Sequence, residues 1–197
     1  MDTRLILASS SPFRRQQLSN LGLHFSAVSP DFDETPLAGE TPAQTAARLA
    51  EGKARSLAAR FNRHLIIGAD QVAFCGGRQL GKPMDTKRAR QMLAEQSGQE
   101  IVFYSAVCLL NSVSGSLQTH VDKTVVKMRS LSAAQIDTYL TREPDAVYCA
   151  GAAKSEALGA ALLERIDSSD PNALIGLPVF RLLDFLAAEG IDVLQAA

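Results

Sequence analysis

Little in this chain of 197 residues invites a disulfide or a zinc ion. Its three cysteines, Cys75, Cys108 and Cys149, are odd in number, and no two stand in a C-x-x-C spacing. Free thiols in a reducing compartment are the expectation. The three histidines, His24, His64 and His120, are scattered without ligand spacing, which argues against a zinc site. Also missing is any apolar run near the roughly 20 residues that span a bilayer, so no membrane segment is expected and the chain reads as cytoplasmic. Neither sign of charge is in excess: 20 basic and 21 acidic side chains leave a formal net charge of −1. That argues against a protein that wraps a polyanion. With no basic, aromatic-studded stripe, nucleic-acid binding is disfavoured, while a local basic pocket stays open. The chain has no internal repeat, low-complexity tract or linker.

What is present suffices for a core. A hydrophobic fraction of 46% beside a charged fraction of 21% is that of an ordinary globular protein, and the length suits one sizeable domain or two small lobes. The chain is organised around residues 65–83. Leu65-Ile66-Ile67 is a continuous apolar run, as in a strand buried on both faces. It meets Gly68 and then Asp70, and a carboxylate at the end of a buried strand costs free energy unless it is paired or binds a cation. Gly76-Gly77 signals a hairpin turn, after which Leu80-Gly81-Lys82-Pro83 brings a lysine to a neighbouring strand end. Acid and base on adjacent strand ends point to a metal and phosphate site. A solvated turn acid is the other reading of Asp70, and the residues alone leave both open. Gly76 and Gly81-Lys82 have the spacing of a phosphate-cradling P-loop. Pro83, however, stands where that loop needs Ser or Thr, and the stretch lies beyond a hairpin rather than straight after a strand.

Upstream, residues 5–8 predict a short strand. Ser9-Ser10-Ser11-Pro12 follows, then a helix from about 13 to 21 that stops at Gly22. A hydroxyl-rich turn at a helix N-terminus is a recipe for anion binding, and Arg14 and Arg15 add charge there. A serine-capped helix with a solvated basic face has the same signature. A second strand is expected at 24–29, then an acidic, proline-bounded loop holding Glu34. Thr41, Pro42 and Gln44 form a capping box that opens a long helix, with Ala46, Leu49, Ala50, Ala54, Leu57 and Phe61 on its apolar stripe. Lys53 starts on that stripe, so it either snorkels to the rim or meets buried negative charge.

Downstream, a helix is expected over 86–96, capped by Asp85 and ended near Gly98. Long strands follow at 101–110 and 117–128 around a turn at 111–115. A helix from Ser132 to about 141 precedes a small-residue loop carrying Lys154 and Glu156. A short strand at 162–166, a turn at 167–172, a closing helix over 178–189 and a last β-rich piece near Val193 complete the reading. Paired long strands without strict βαβ alternation predict an α/β fold with a mixed twisted sheet flanked by helices, in two lobes with a central cleft.

Several of these residues match a known family. Ala8-Ser9-Ser10-Ser11-Pro12 with Arg14-Arg15 resembles the opening signature of the Maf family of nucleoside triphosphate pyrophosphatases. Glu34, Lys53, Gly68-Ala69-Asp70, Gly81-Lys82-Pro83 and Gly176-Leu177-Pro178 fall in that family's order, over nearly the whole chain. The resemblance implies a Maf-like fold, related to that of the ITPases, spanning 1–197 as a single domain. It implies divalent-metal-dependent cleavage between the α- and β-phosphates of a nucleoside triphosphate. It makes Asp70 the proton acceptor and Glu34, Lys53 and Lys82 essential. Magnesium or manganese would be held by Glu34 and Asp70, and the phosphates by Ser10, Arg14 and Arg15. Phe13 departs from the commonest family signature, which has Arg after the proline, and Gln71 and Glu156 depart from the thymidine- and uridine-directed branch; together they resemble the branch directed at 7-methyl-GTP. The alternative, from a family implicated in cell division, is a nucleotide-binding regulator of septum formation without turnover. The oligomeric state stays open, a homodimer being one option.

Overall fold

The computed structural model describes residues 5–195. Its elements run β1 (Leu5–Ala8), α1 (Pro12–Ser19), β2 (Phe25–Val28), α2 (Pro42–Ala58), β3 (Leu65–Cys75), β4 (Arg78–Leu80) and α3 (Thr86–Gln96). They continue with β5 (Glu100–Asn111), β6 (Leu117–Met128), α4 (Ala133–Arg142), β7 (Leu163–Asp167), α5 (Pro171–Ile175) and α6 (Val179–Ala188). Strands pair in the order β2-β1-β3-β5-β6-β7, with β4 on β3. The sheet is mixed: β1 is parallel to β2 and β3, whereas β3–β4 and β6–β7 are antiparallel. Two compact units divide the chain. One holds the residues up to Gln71, Ser105–Asp122 and those from Asp170 on; the other holds Val72–Tyr104 and Lys123–Ser169.

In the first unit, β1 lies between β2 and β3 in register, Ala8 opposite both Val28 and Gly68. Side chains alternate across a strand, and the two faces of β3 are put to different uses. Leu65, Ile67 and Ala69 join Leu5, Leu7, Leu18, Val107, Leu109, Leu177, Leu182 and Leu186 in one buried cluster, so that face is covered by α1 and α6. The other face meets α2. There a Cβ on Gly68 would lie 2.1 Å from the Ala50 carbonyl oxygen, so only glycine lets helix and strand approach this closely. The capping box at Thr41 and Gln44 opens α2 as its sequence predicts.

In the second unit, Gly76 and Gly77 take φ of +55° and +77°, the left-handed pair that a tight hairpin between β3 and β4 requires. Asp85 caps α3, and Ser132 with Gln135 forms a capping box on α4. The turns after α4 are short 3-10 segments, and β7 returns along β6.

Three expectations need correction. Asp70 is not at a strand end: β3 continues through it to Cys75, because its carboxylate is met by a lysine and so can stay buried. The turn expected at 167–172 closes into α5, where Asp170 Oδ1 accepts from the backbone N–H of Asn172 at 2.8 Å and Pro171 occupies the first helical turn. The β-rich piece near Val193 is a turn, in which Asp192 Oδ1 accepts from the backbone N–H of Leu194 at 2.9 Å.

Candidate functional site

Parallel strands bind ligands beyond their carboxyl ends, where connections leave in opposite directions. In the first unit that point is the end of β1, which stops at Ala8 while β3 runs on past Gly68 to Asp70. The serine turn before α1 and the loop after β2 leave from the same edge. Lys53 arrives from α2. It is three residues past Ala50, roughly 4.5 Å along a helix, while Asp70 is two residues past Gly68, roughly 6.6 Å along a strand. A helix already pressed onto Gly68 therefore delivers Lys53 to Asp70. Lys53 Nζ donates to Asp70 Oδ1 at 2.6 Å and pairs with Glu34 Oε1 at 3.0 Å. The lysine faces inward, and the snorkelling alternative is overturned.

Glu34 itself is exposed, but its loop is anchored. Asp33 Oδ1 accepts from the backbone N–H of Thr35 at 2.9 Å, and Arg48 donates to the Thr35 carbonyl at 3.2 Å. The same guanidinium holds Glu40 in a two-pronged pair, Nε to Oε1 at 2.5 Å and NH2 to Oε2 at 2.8 Å. That pairing pulls the Glu40 carboxyl down to about 2.

Ser11 caps α1, its hydroxyl accepting from the backbone N–H of Arg14 at 3.4 Å. Arg14 reaches back across the serine turn, donating from NH1 to Ser9 Oγ at 3.5 Å and from Nε to the Gly176 carbonyl at 2.8 Å. Burial lowers the Arg14 pKa, and the carboxylates of Asp70 and then Glu34 oppose the shift. Burial likewise pushes Asp70 up, against the pull of Lys53 and Arg14. Two cations and two carboxylates are thus coupled at one strand edge. Ser10 and Arg15 are exposed beside them.

Phe13 is half-buried on α1, outside the core cluster that takes Leu18 from the same helix. Gln71 follows Asp70 on β3 and faces the other way. Its side-chain amide nitrogen donates to Ser105 Oγ at 2.9 Å and to the carbonyls of Ala173 and Leu174 at 3.0 Å each.

Lys82 and Glu156 belong to the second unit and are both exposed. Their loops are tied together: the backbone N–H of Gly151 donates to the Gly81 carbonyl at 3.2 Å, and that of Met84 to the Val147 carbonyl at 3.0 Å. Tyr139 Oη accepts from the backbone N–H of Lys154 at 3.0 Å and donates to the Ala152 carbonyl at 3.1 Å. Cys149 lies in this neighbourhood, its thiol pushed up to about 11 by burial and then by Glu156, with Lys154 and Lys82 pulling the other way. All three cysteines are free.

Sequence reasoning placed Ser9 in the serine turn and Asp170 in a turn without giving either a role, and it missed Arg48, Ser105 and Gln17. These three stand in no motif, and each is found only through its partner in space.

Among the described residues, no group of three or more His, Cys, Asp and Glu side chains is gathered for a metal. A magnesium-type cation bound together with phosphates needs less, since one or two carboxylates suffice when the substrate supplies the remaining oxygens. Asp70 and Glu34, both on Lys53, fit that pattern. No helix among the described residues is long and apolar enough to cross a membrane.

Known proteins resemble this chain along its length. The family model described as Maf-like protein matches residues 4–189. A protein of Neisseria meningitidis serogroup A named 7-methyl-GTP pyrophosphatase is 66% identical over 194 residues, covering 98% of this chain and 99% of its own. Proteins of the same name from Chromobacterium violaceum and Vibrio vulnificus are 52% and 47% identical, covering 97% of this chain in both cases and 99% and 97% of their own. With a family model that takes in both units and relatives matched nearly end to end, the chain belongs to the Maf family.

Proposed function

We propose that this protein hydrolyses 7-methyl-GTP between its α- and β-phosphates, giving 7-methyl-GMP and pyrophosphate. Water adds across the bond: a P–O bond forms to the water oxygen, the bridging P–O bond breaks, and pyrophosphate leaves. The observation that carries the reading is Lys53 held between Asp70 and Glu34 at the strand edge, in a chain whose relatives bear that activity in their names.

Asp70 is the proton acceptor for the attacking water. Burial supports that role, since it lifts the carboxyl toward a useful basicity. Lys53 and Lys82 supply point charges to phosphate oxygens and to the charge that builds in the transition state. Ser10, Arg14 and Arg15 bind the phosphates at the start of α1, where free N–H groups add to the formal charge. Phe13 and Glu156 set base preference, and Gln71 acts from behind the site, its amide protons taken by Ser105 and the carbonyls of Ala173 and Leu174. A magnesium or manganese ion, held by Asp70 and Glu34, would neutralise phosphate charge when bound. The whole chain acts as one Maf-like domain, as the single family match suggests. Its three free thiols are compatible with the cytoplasm.

The test is pyrophosphate release from a panel of nucleoside triphosphates, 7-methyl-GTP, dTTP and UTP among them. The expected result is turnover of 7-methyl-GTP far above the pyrimidine nucleotides. Bound but intact nucleotide throughout the panel would instead favour a regulator without turnover.

A further inference from the structure

Gln71 immediately follows the proposed base, yet its side chain points away from Lys53. On β3 it continues the row Leu65, Ile67, Ala69, whose face is covered by α1 and α6. Its amide nitrogen carries two protons, and three acceptors lie within hydrogen-bond distance: Ser105 Oγ at 2.9 Å, the Ala173 carbonyl at 3.0 Å and the Leu174 carbonyl at 3.0 Å. Ser105 is fully buried on β5 and donates its own proton to the Ala173 carbonyl at 2.7 Å. Every proton of this pair is therefore committed to the protein, and Gln71 has none left for a base.

The acceptors are the carbonyls of α5. Two residues beyond Leu174 comes Gly176, with φ of +127°, which presents its carbonyl to Arg14 Nε at 2.8 Å. A Cβ there would face that guanidinium at 3.5 Å in a backbone conformation that side chains rarely adopt. One turn further along α1, on the same face, Gln17 donates to the Asn172 carbonyl at 2.8 Å. The turn is closed from the far side by Asp170, which accepts from the backbone N–H groups of Asn172 and Phe180 at 2.8 Å each. A continuous chain of bonds thus runs from β3 and β5, through α5, to Arg14.

We propose that Gln71 and Ser105 are positioning residues for Arg14: they fix the 173–176 backbone, whose last carbonyl aims the guanidinium at the phosphate site. Resting on the function proposed above, the inference assigns Gln71 an action transmitted to phosphate binding and adds Ser105 to the working parts of the site. Strand β3 then serves the site with both faces, Asp70 through its carboxylate and Gln71 through α5.

The experiment is a double-mutant cycle of Ser105→Ala against Arg14→Lys, repeated with Gln71→Met. The readouts are kcat/KM for 7-methyl-GTP and the calorimetric affinity for inorganic pyrophosphate. In the wild-type background Ser105→Ala is expected to weaken both by about 10-fold, the order of a lost buried hydrogen bond. In the Arg14→Lys background the same change is expected to cost less than about 2-fold, because residues acting through one group are non-additive. Ser105→Thr, which keeps the hydroxyl, is expected to recover most of the loss. Equal fold-losses in both backgrounds for both variants would overturn the proposal. Pyrophosphate affinity keeps its failure separate from that of the functional reading: an inert wild-type enzyme would leave the binding cycle still able to decide.

Discussion

Lys53 Nζ lies 2.6 Å from Asp70 Oδ1, and the two side chains are only 7% and 9% exposed. An ion pair this deep gains from close contact and loses to desolvation, so it is weak evidence for stability. Its meaning is better sought in the chemistry. Burial pushes the Asp70 carboxyl up while Lys53 and Arg14 hold it down, which suits the roles proposed for Asp70 as base and for Lys53 as phosphate ligand.

Asp70→Asn removes charge and basicity but leaves an oxygen for Lys53, and Glu34 still pairs with that lysine at 3.0 Å. Hydrolysis is expected to fall by about 100-fold or more, the scale of a lost general base. The melting temperature is expected to stay close to that of the parent. Pyrophosphate release and a thermal melt check the two halves, and near-parental turnover by a folded variant would remove Asp70 from the mechanism.

Lys53→Met keeps the stem and strands the carboxylate. Removing one partner of a buried pair costs about 3–5 kcal/mol, so this variant is expected to melt well below the parent at neutral pH and to lose activity. The pH dependence has a definite sign. Without Lys53, Asp70 keeps the burial that raises its pKa above the ordinary 3.8 and loses its main opposing charge. A carboxyl raised on folding binds its proton more tightly in the folded state, so acidification through that raised pKa restores stability. The melting gap between Lys53→Met and the parent is therefore expected to narrow as pH falls toward 3.8. A gap independent of pH would mean that no buried carboxylate had been uncovered.

Metal removal tests the remaining part of the charge balance. Glu34 and Asp70 bring two carboxylates toward a substrate that is itself polyanionic, and Lys53 lies between them. EDTA is expected to stop hydrolysis, and magnesium or manganese to restore it. Full rates in chelator would assign charge neutralisation to the lysines and arginines alone.

Much of this was legible in the chain, for physical reasons that can be named. Capping boxes at Thr41 and Ser132 and the Gly76-Gly77 turn are local signals, and the structure has all three. Lys53 on an apolar stripe was legible as an anomaly, but its partner was not, since that depended on α2 docking at Gly68. The α5 turn was hidden because it is barely more than one turn long and, beyond its local Asp170 cap, is held by distant groups: Gln71, Ser105 and Gln17. Arg48 was hidden likewise, its pairing with Glu40 and Thr35 being set by the course of a loop. Pattern shows which residues are out of place, while the groups that hold them come from the fold.

Base preference is the sharpest remaining test, and the proposal places it on Glu156. Methylation at N7 makes guanine cationic, and its Watson–Crick edge presents N–H donors. A carboxylate can only accept, so it suits that edge and mismatches the carbonyls that uracil and thymine present on either side of a single N–H. The Glu156 side chain is exposed, on a loop pinned through Tyr139 and Lys154 and through Gly151 on Gly81. It is thus both free to meet a ligand and held in place. Phe13, half-buried and outside the core cluster, is the aromatic face proposed for the cationic ring, a contact that would be worth roughly 0.5–2 kcal/mol depending on desolvation. Glu156→Gln keeps the length and exchanges one acceptor for a donor. It is expected to reduce the ratio of kcat/KM for 7-methyl-GTP over UTP by about 10-fold or more, the order of one charge-assisted hydrogen bond, with little change in thermal stability at an exposed position. An unchanged ratio in a folded, active variant would show that the carboxylate does not read the base, and selectivity would then have to be sought at Phe13.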